Sequence, residues 1–227
     1  MKLKINGFDN EIIFNDKNIN IMEIKNTKLF SHIIEILNQM VNGYEADEII
    51  LIDDNNLEMK VSQNVDILFD LFNIDYNSKK NLKKIYEIIT NNINLTDYDI
   101  LNEKFISIRD SLIQEINELP FEFVMNENLN IIEMLKLFDV KIDKINYGTI
   151  LERIELYIDL ISTLQTTKIL IIPNLKTYLN TEELIELYKY SLYNNINLLL
   201  VERKIEQESL KYEKKLQIDN LFNDELI

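Results

Sequence analysis

The sequence predicts an α/β fold: a head built on a mostly parallel sheet, with an α-helical leg inserted into it. Three observations predict it. The runs "NINIMEI" (18–24), "ILIIP" (169–173) and "INLLLVE" (196–202) are apolar without strict alternation. Such strands are covered on both faces, as in a parallel sheet under helices. Helical spacing flanks them. From about 64 to 118 the period is helical throughout, with no strand between. The head is therefore expected over 1–60 and 119–227, and the leg over 61–118.

Taken in order, "LKINGF" and "NEIIF" alternate polar and apolar residues, as a hairpin does. After the strand 18–24, Leu29, Ile33, Ile36, Leu37 and Met40 fall on one helical face, and Gly43 is placed to stop that helix. "DEIILIDD" (47–54) reads as a strand. "NVDILFDLFNID", "NSKKNLKKIYEIITNNI" and "NEKFISIRDSLIQEINEL" read as helices, with Asn77 and Asp97 as caps. Strand character returns at "PFEFVMN" (120–126). "NIIEMLKLF" is a short helix, "VKI" a short strand and "YGTILERIELYIDLISTLQ" a long amphipathic helix. The helix beginning at Asn180 carries Glu183 three residues on, a capping-box arrangement.

Composition narrows the function classes. The 227 residues include no cysteine, so disulfides and thiolate metal sites are excluded. "MKLKINGFDN" has no apolar signal region, and no apolar run approaches the ~20 residues of a bilayer span, so a cytoplasmic location is expected. There are only three glycines and two prolines. The single alanine and the abundance of Asn, Ile and Lys fit an A/T-rich coding bias. The net charge of −15 argues against a phosphate-rich partner, which needs Lys and Arg. The windows 1–28, 136–176 and 202–215 are nevertheless slightly basic, so the acid excess falls on the rest.

The candidate chemistry is sparse. A phosphate cradle belongs between the strand 18–24 and its helix, where the residues are "EIKNTKLF". Without glycine that turn does not easily form the backbone nest that holds phosphate. Lys25 and Lys28 read equally as surface lysines. A nucleotide-hydrolysing domain places a magnesium-binding Asp after a strand such as 169–173; here Asn174 stands there. His32 has no Ser or Cys partner in sight. Asp53 and Asp54 read as solvated turn carboxylates. ATP hydrolysis is not expected. The corner 122–133 gathers Glu122, Asn126, Glu127, Asn128 and Glu133, oxygen ligands of the kind calcium takes. Its plainer reading is a helix cap at Asn128 or Asn130. Lys79, Lys80, Lys83 and Lys84 make a basic helix face that suits phosphate or simply solvent.

Several stretches, in the same order along the chain, resemble the Csn family, the ring-forming CRISPR-associated proteins that help type II-A systems acquire spacers. They are "INIMEIKNTKLFSHIIEIL", "ILFDLFNIDYNSKKNLKKIYEIITNNI", "NLNIIEMLKLFDVKID" and "KILIIPNLKTYLNTEELIELYKYSLYNNINLLLVE". The likeness is one of core and cap residues, with no single diagnostic motif. Lys25 stands where the family commonly has an acid, and Asn126 and Asn128 stand in a corner that is acid-rich in relatives.

The resemblance implies a head related to nucleotide-hydrolysing domains but stripped of the phosphate loop. It implies a homotetrameric ring that takes linear double-stranded DNA ends through a basic lumen, without catalysis and without reading sequence. Lys25, Lys28, Lys136, Lys141, Lys144 and Arg203 are the expected DNA-binding residues, and Glu122, Asn126, Glu127 and Glu133 the expected calcium ligands. The implied partners are the CRISPR integrase complex and the type II effector nuclease, in the adaptation stage of antiviral defence, with no membrane. Two other readings stay open: a degenerate nucleotide-binding protein and a purely structural adaptor.

Overall fold

The computed structural model describes residues 1–143, 148–204 and 208–227. In chain order the first elements are β1 (Lys2–Ile5), β2 (Ile12–Ile13), β3 (Ile19–Ile24), α1 (Thr27–Val41), β4 (Ile49–Ile52), α2 (Val61–Asn64) and β5 (Val65–Ile67). Then come α3 (Lys79–Asn92), α4 (Leu95–Ile116), α5 (Ile131–Leu137), α6 (Ile150–Leu164) and β6 (Ile169–Pro173). A 3-10 turn at Leu175–Thr177 precedes α7 (Thr181–Tyr193), β7 (Asn197–Glu202), β8 (Glu213–Ile218) and β9 (Asp224–Leu226). They divide into two compact units, Met1–Tyr76 with Lys144–Ile227, and Asn77–Asp143.

The first unit holds a six-stranded sheet ordered β5-β6-β7-β3-β8-β9, parallel except for the β8–β9 hairpin. All six residues of β3 are buried, the polar Asn20 and Glu23 included, as a strand covered on both faces requires. Met22 and Ile24 point to a core shared with Leu199, Val201, Leu216, Ile218 and α1. The opposite face carries Ile19, Ile21, Leu198, Leu200, Leu170 and Ile172, all fully buried. The buried residues of α6 (Ile154, Ile158, Ile161) and α7 (Leu184, Leu187) complete that layer. The hairpin read from the first residues is present, and with β4 it forms a separate antiparallel sheet, β2-β1-β4.

The caps follow the sequence closely in this unit. Asn180 and Glu183 form the expected capping box of α7, and Thr149 with Glu152 forms another at α6. Gly43, at φ 92, follows the end of α1 in a conformation that L residues avoid.

Several expectations are corrected. Residues 65–67 are a strand, not part of a helix: Val65 and Ile67 pair with Ile169 and Ile171. The β-branched residues around Asp66 suit a pleated edge, and the apolar spacing of the whole segment concealed it. Residues 61–76 accordingly belong to the first unit, and 119–143 to the second, so neither border of the expected 61–118 leg coincides with a structural border. The segment 120–126 is not a strand, and neither is 140–142. The second unit contains only helices among its described elements, so Phe121, Phe123 and Met125 alternate without a partner strand to bond. Asn94, not Asp97, accepts from the first turn of α4, and Ser78, not Asn77, caps α3. Asn77 instead ties Ile142 in both directions, accepting its N–H at 2.8 Å and donating to its carbonyl at 2.9 Å. Finally, β8 and β9 had no sequence signal: "EKKLQI" is charged where a buried strand was to be apolar.

Candidate nucleic-acid interface

In parallel α/β sheets ligands collect at the carboxyl ends of the strands. Here that edge is made by the ends of β3, β6 and β7. The β3–α1 turn is only Lys25 and Asn26. The Asn26 side chain accepts from the N–H groups of Lys28 and Leu29, at 3.0 and 3.1 Å. A phosphate at this helix start would need those same donors. Asn174 adopts a left-handed conformation (φ 54), which Asn tolerates better than most residues. Its N–H donates to the Val201 carbonyl (2.9 Å) and its Oδ1 accepts the Arg203 N–H (3.2 Å). Both ends of Asn174 are thus engaged in joining β6 to β7.

Arg203 closes the gap. Its Nη2 donates to Thr27 Oγ1, and its Nη1 lies 3.5 Å from the Ile24 carbonyl. The guanidinium therefore sits between the residues that flank Lys25 and Lys28, and both lysines are exposed. Lys25 also faces Asp219, whose carboxyl is held below the usual range by hydrogen bonds from Asn223 and Leu221 and by the Lys25 charge. Three of the expected DNA-binding residues, Lys25, Lys28 and Arg203, are in this way brought together.

The others are elsewhere. Lys136 ends α5 and Lys141 follows it, both exposed and both in the second unit. Lys141 is paired with Asp139, which raises its pKa. Lys144 lies outside the described residues.

The oxygen-rich corner 122–133 lies in the second unit. Glu122, Asn126 and Glu127 line one cleft, and Asn126 and Glu127 also line a second with Glu133. Among the described residues no three His, Cys, Asp or Glu side chains come together as metal ligands. A cation already reaches the first cleft, since Arg109 Nη1 donates to the Glu127 carbonyl at 3.2 Å. Asn130 accepts the Glu133 N–H at 3.2 Å, which is the helix-cap reading.

A group that periodicity could not find lies on the sheet face opposite α1. Glu23, Lys215 and Glu213 have fully buried side chains, or nearly so. Lys215 Nζ lies 3.1 Å from Glu23 and 3.8 Å from Glu213. Lys176 Nζ lies 2.8 Å from Glu213, which also accepts from Tyr188 Oη at 2.8 Å. The Lys176 N–H donates to Glu202 at 3.1 Å, and Gln217 donates to Glu23 at 2.7 Å. The one legible signal is the spacing of Glu213, Lys215 and Gln217, every second residue along one strand.

No helix among the described residues is long and apolar enough to cross a membrane. The crystal structure of Stu0660 of Streptococcus thermophilus superimposes with a TM-score of 0.63 at 15% identity, covering 96% of this chain and 74% of that one. That likeness shows the fold. A CRISPR-associated protein Csn2 from Enterococcus faecalis is 24% identical over 195 residues, 84% of this chain and 85% of the relative. The profile of the CRISPR-associated protein family Cas_Csn2 matches residues 43–220, most of the chain and both compact units. Its sheet, its helical unit and its sequence thus agree, and the chain belongs to the Csn2 family of CRISPR-associated proteins.

Proposed function

We propose that the protein is a non-enzymatic DNA-end-binding ring that supports spacer acquisition in type II-A CRISPR immunity, acting in the cytoplasm alongside the integrase complex and the effector nuclease. The observation that carries this reading is the placement of Lys25, Lys28 and Arg203 at the carboxyl edge of the sheet, beside a turn whose helix donors are already capped. The edge offers positive charge without a phosphate cradle. A ring of four copies multiplies each such charge around one lumen, which reconciles local attraction with a net charge of −15 per chain. Lys136, Lys141 and Lys144 complete the proposed lining. Phosphate contacts of this kind carry no sequence information.

The helical unit supports assembly. No residue of α4 is buried across its 22 residues, and Leu95 and Ile108 are 83% and 65% exposed. Apolar surface of this extent on a helix calls for a partner.

The test uses the purified protein with linear duplex DNA and with a covalently closed circle of the same sequence. We expect a tetramer by size, binding to linear duplex at moderate salt, and much weaker binding to the circle. Neutralising Lys28 or Arg203 is expected to weaken binding for every sequence, with a salt slope reduced by about 0.9 per lost phosphate contact. Equal affinity for the two DNA forms would overturn threading. ATP turnover abolished by Lys28→Ala would overturn the non-enzymatic reading.

A further inference from the structure

The segment that follows the long helix α4 is strand-like in pattern and unpaired in space. Phe121, Phe123 and Met125 alternate with Glu122, Val124 and Asn126. Pro120 stands at the start, the place in a strand where a missing N–H is tolerated. Residues 122–127 contain no helix, strand, turn or bend. The Phe121 and Phe123 rings meet edge to face, with centroids 6.4 Å apart. Residues two apart share a face in an extended chain and not in a helix. Among the described residues, no backbone N–H or carbonyl of 121–126 is hydrogen bonded within the chain. A row of unpaired backbone groups with alternating side chains is a template for a further strand.

The surroundings of the segment select which strand. Between it and the end of α4 lies a cleft of about 910 Å³, whose lining includes Ile113, Ile116, Phe121, Phe123 and Met125. A two-stranded ribbon is marginal alone and becomes stable when it packs against a helix. The cleft offers that helix surface to the apolar side chains of an added strand. The other side chains of such a strand meet carboxylates. Glu115, Glu118, Glu122 and Glu127 are all exposed, and among the described residues none of them is in an ion pair. Arg109 is the single base in the lining, and it is paired with Asp110. A second copy of the segment would bring the same four carboxylates to the same place, and like charges across a strand pair are destabilising.

We propose that residues 120–126 are a docking edge for an extended segment of a partner protein, one whose apolar side chains alternate with Lys or Arg. The ladder supplies backbone hydrogen bonds, the cleft takes the apolar side chains, and the carboxylates select the basic ones. The edge lies in the second unit, whereas Lys25, Lys28 and Arg203 lie in the first, so it goes beyond the DNA-binding reading and does not depend on it.

The experiment uses the full chain, in chelator, with a short capped fluorescent peptide of alternating Lys and Val. A second peptide carries the same side chains with its backbone nitrogens methylated, and a third has Glu in place of Lys. Affinity is read by fluorescence anisotropy and amide hydrogen exchange by NMR. We expect the Lys–Val peptide to bind and to slow exchange about tenfold at alternate residues of 121–126, the signature of a strand ladder. We expect the methylated peptide to bind about tenfold more weakly, because several backbone hydrogen bonds are lost together, and the Glu–Val peptide not to bind. Glu118→Gln with Glu122→Gln changes only exposed side chains and is expected to weaken binding roughly three- to tenfold at low salt, and less as salt rises. No binding of the Lys–Val peptide, or binding that leaves exchange at 121–126 unchanged, overturns the docking edge. Equal affinity for the methylated peptide overturns the ladder. Unchanged affinity in the double Gln variant overturns the choice of a basic partner. Slow exchange at 121–126 in the protein alone, growing with its concentration, assigns the edge to a second copy and overturns the partner.

Discussion

The two units bury their apolar residues very differently. In the sheet unit, β3, β6 and β7 are almost wholly buried, and Leu170, Ile172 and Leu200 show no exposed surface. In the helical unit, α3 buries only Asn81 and Tyr86, and α5 only Ile131. There the long-range ties are largely polar: Asn77 to Ile142, Tyr86 to the Val140 carbonyl at 2.8 Å, and Arg109 to Glu127. The sheet unit carries most of the buried apolar surface. The helical unit leaves apolar residues of α4 exposed and has several hydrogen bonds among its long-range ties.

The sharpest way to break this comparison is truncation on both sides. Leu200→Ala is expected to cost about 2–5 kcal/mol in denaturant unfolding, the range for a fully buried leucine. Ile108→Ser and Leu112→Ser are expected to cost within about 0.5 kcal/mol each, as exposed substitutions do. The same serine changes are expected to reduce assembly, read by sedimentation. Equal costs in both units would show that α4 is already covered within one chain.

Asn77→Ala probes the polar ties. Its side chain makes two hydrogen bonds to one residue of the helical unit, so its loss is expected to cost about 1–3 kcal/mol. The loss is expected in the exchange protection of residues 79–92, with β3 and β6 unaffected. Loss of protection in both units alike would mean that they unfold as one.

A smaller effect belongs to the α6–α7 layer of the sheet unit. Tyr190 donates to Asp159 at 2.7 Å, and that bond, with some desolvation and the neighbouring carboxylates, pushes its pKa up to about 12. A phenol whose folded pKa exceeds its ordinary value of 10 adds stability that is complete below pH 10 and is lost as pH rises towards 12. Tyr190→Phe is therefore expected to lower stability at pH 8 by about 1 kcal/mol or less, screened by solvent, with the difference vanishing near pH 12. A difference that grew with pH would reverse the assignment. Glu155 is raised by burial and by Glu186, Asp159 and Glu152. Its charged form is thus disfavoured in the fold, and Glu155→Gln is expected to gain a few tenths of a kcal/mol at neutral pH.

The least effect is expected from calcium. An ion held by Glu122, Asn126, Glu127 and Glu133 would raise the melting temperature as calcium is added to the millimolar range. A rise abolished by Glu122→Gln with Glu127→Gln would place an ion in the helical unit and supply the tie that its packing lacks.

Much of the sheet unit was legible because local rules and burial point the same way there. Apolar runs without strict alternation gave β3, β6 and β7, helical spacing gave α1 and α6, and the Asn180–Glu183 pair gave the start of α7. The glycine-free turn at Lys25–Asn26 and the neutral Asn174 argue in the sequence against a phosphate cradle, and in the fold Asn26 occupies the N–H donors such a cradle needs. Three things were decided only in space. The edge strand β5 takes its state from pairing with β6, because three residues carry too little periodicity to outweigh the helical spacing around them. The segment 120–126 alternates like a strand but has no neighbour to bond, and a strand without a ladder is not a strand. Lys215 is buried in β8 because pairing with β3 brings Glu23 within reach of its Nζ, which also donates to the Glu208 carbonyl. Sequence shows each residue's own preference; which backbone groups go unpaired, and which side chains must answer them, depends on chain segments far apart in number and adjacent only in the fold.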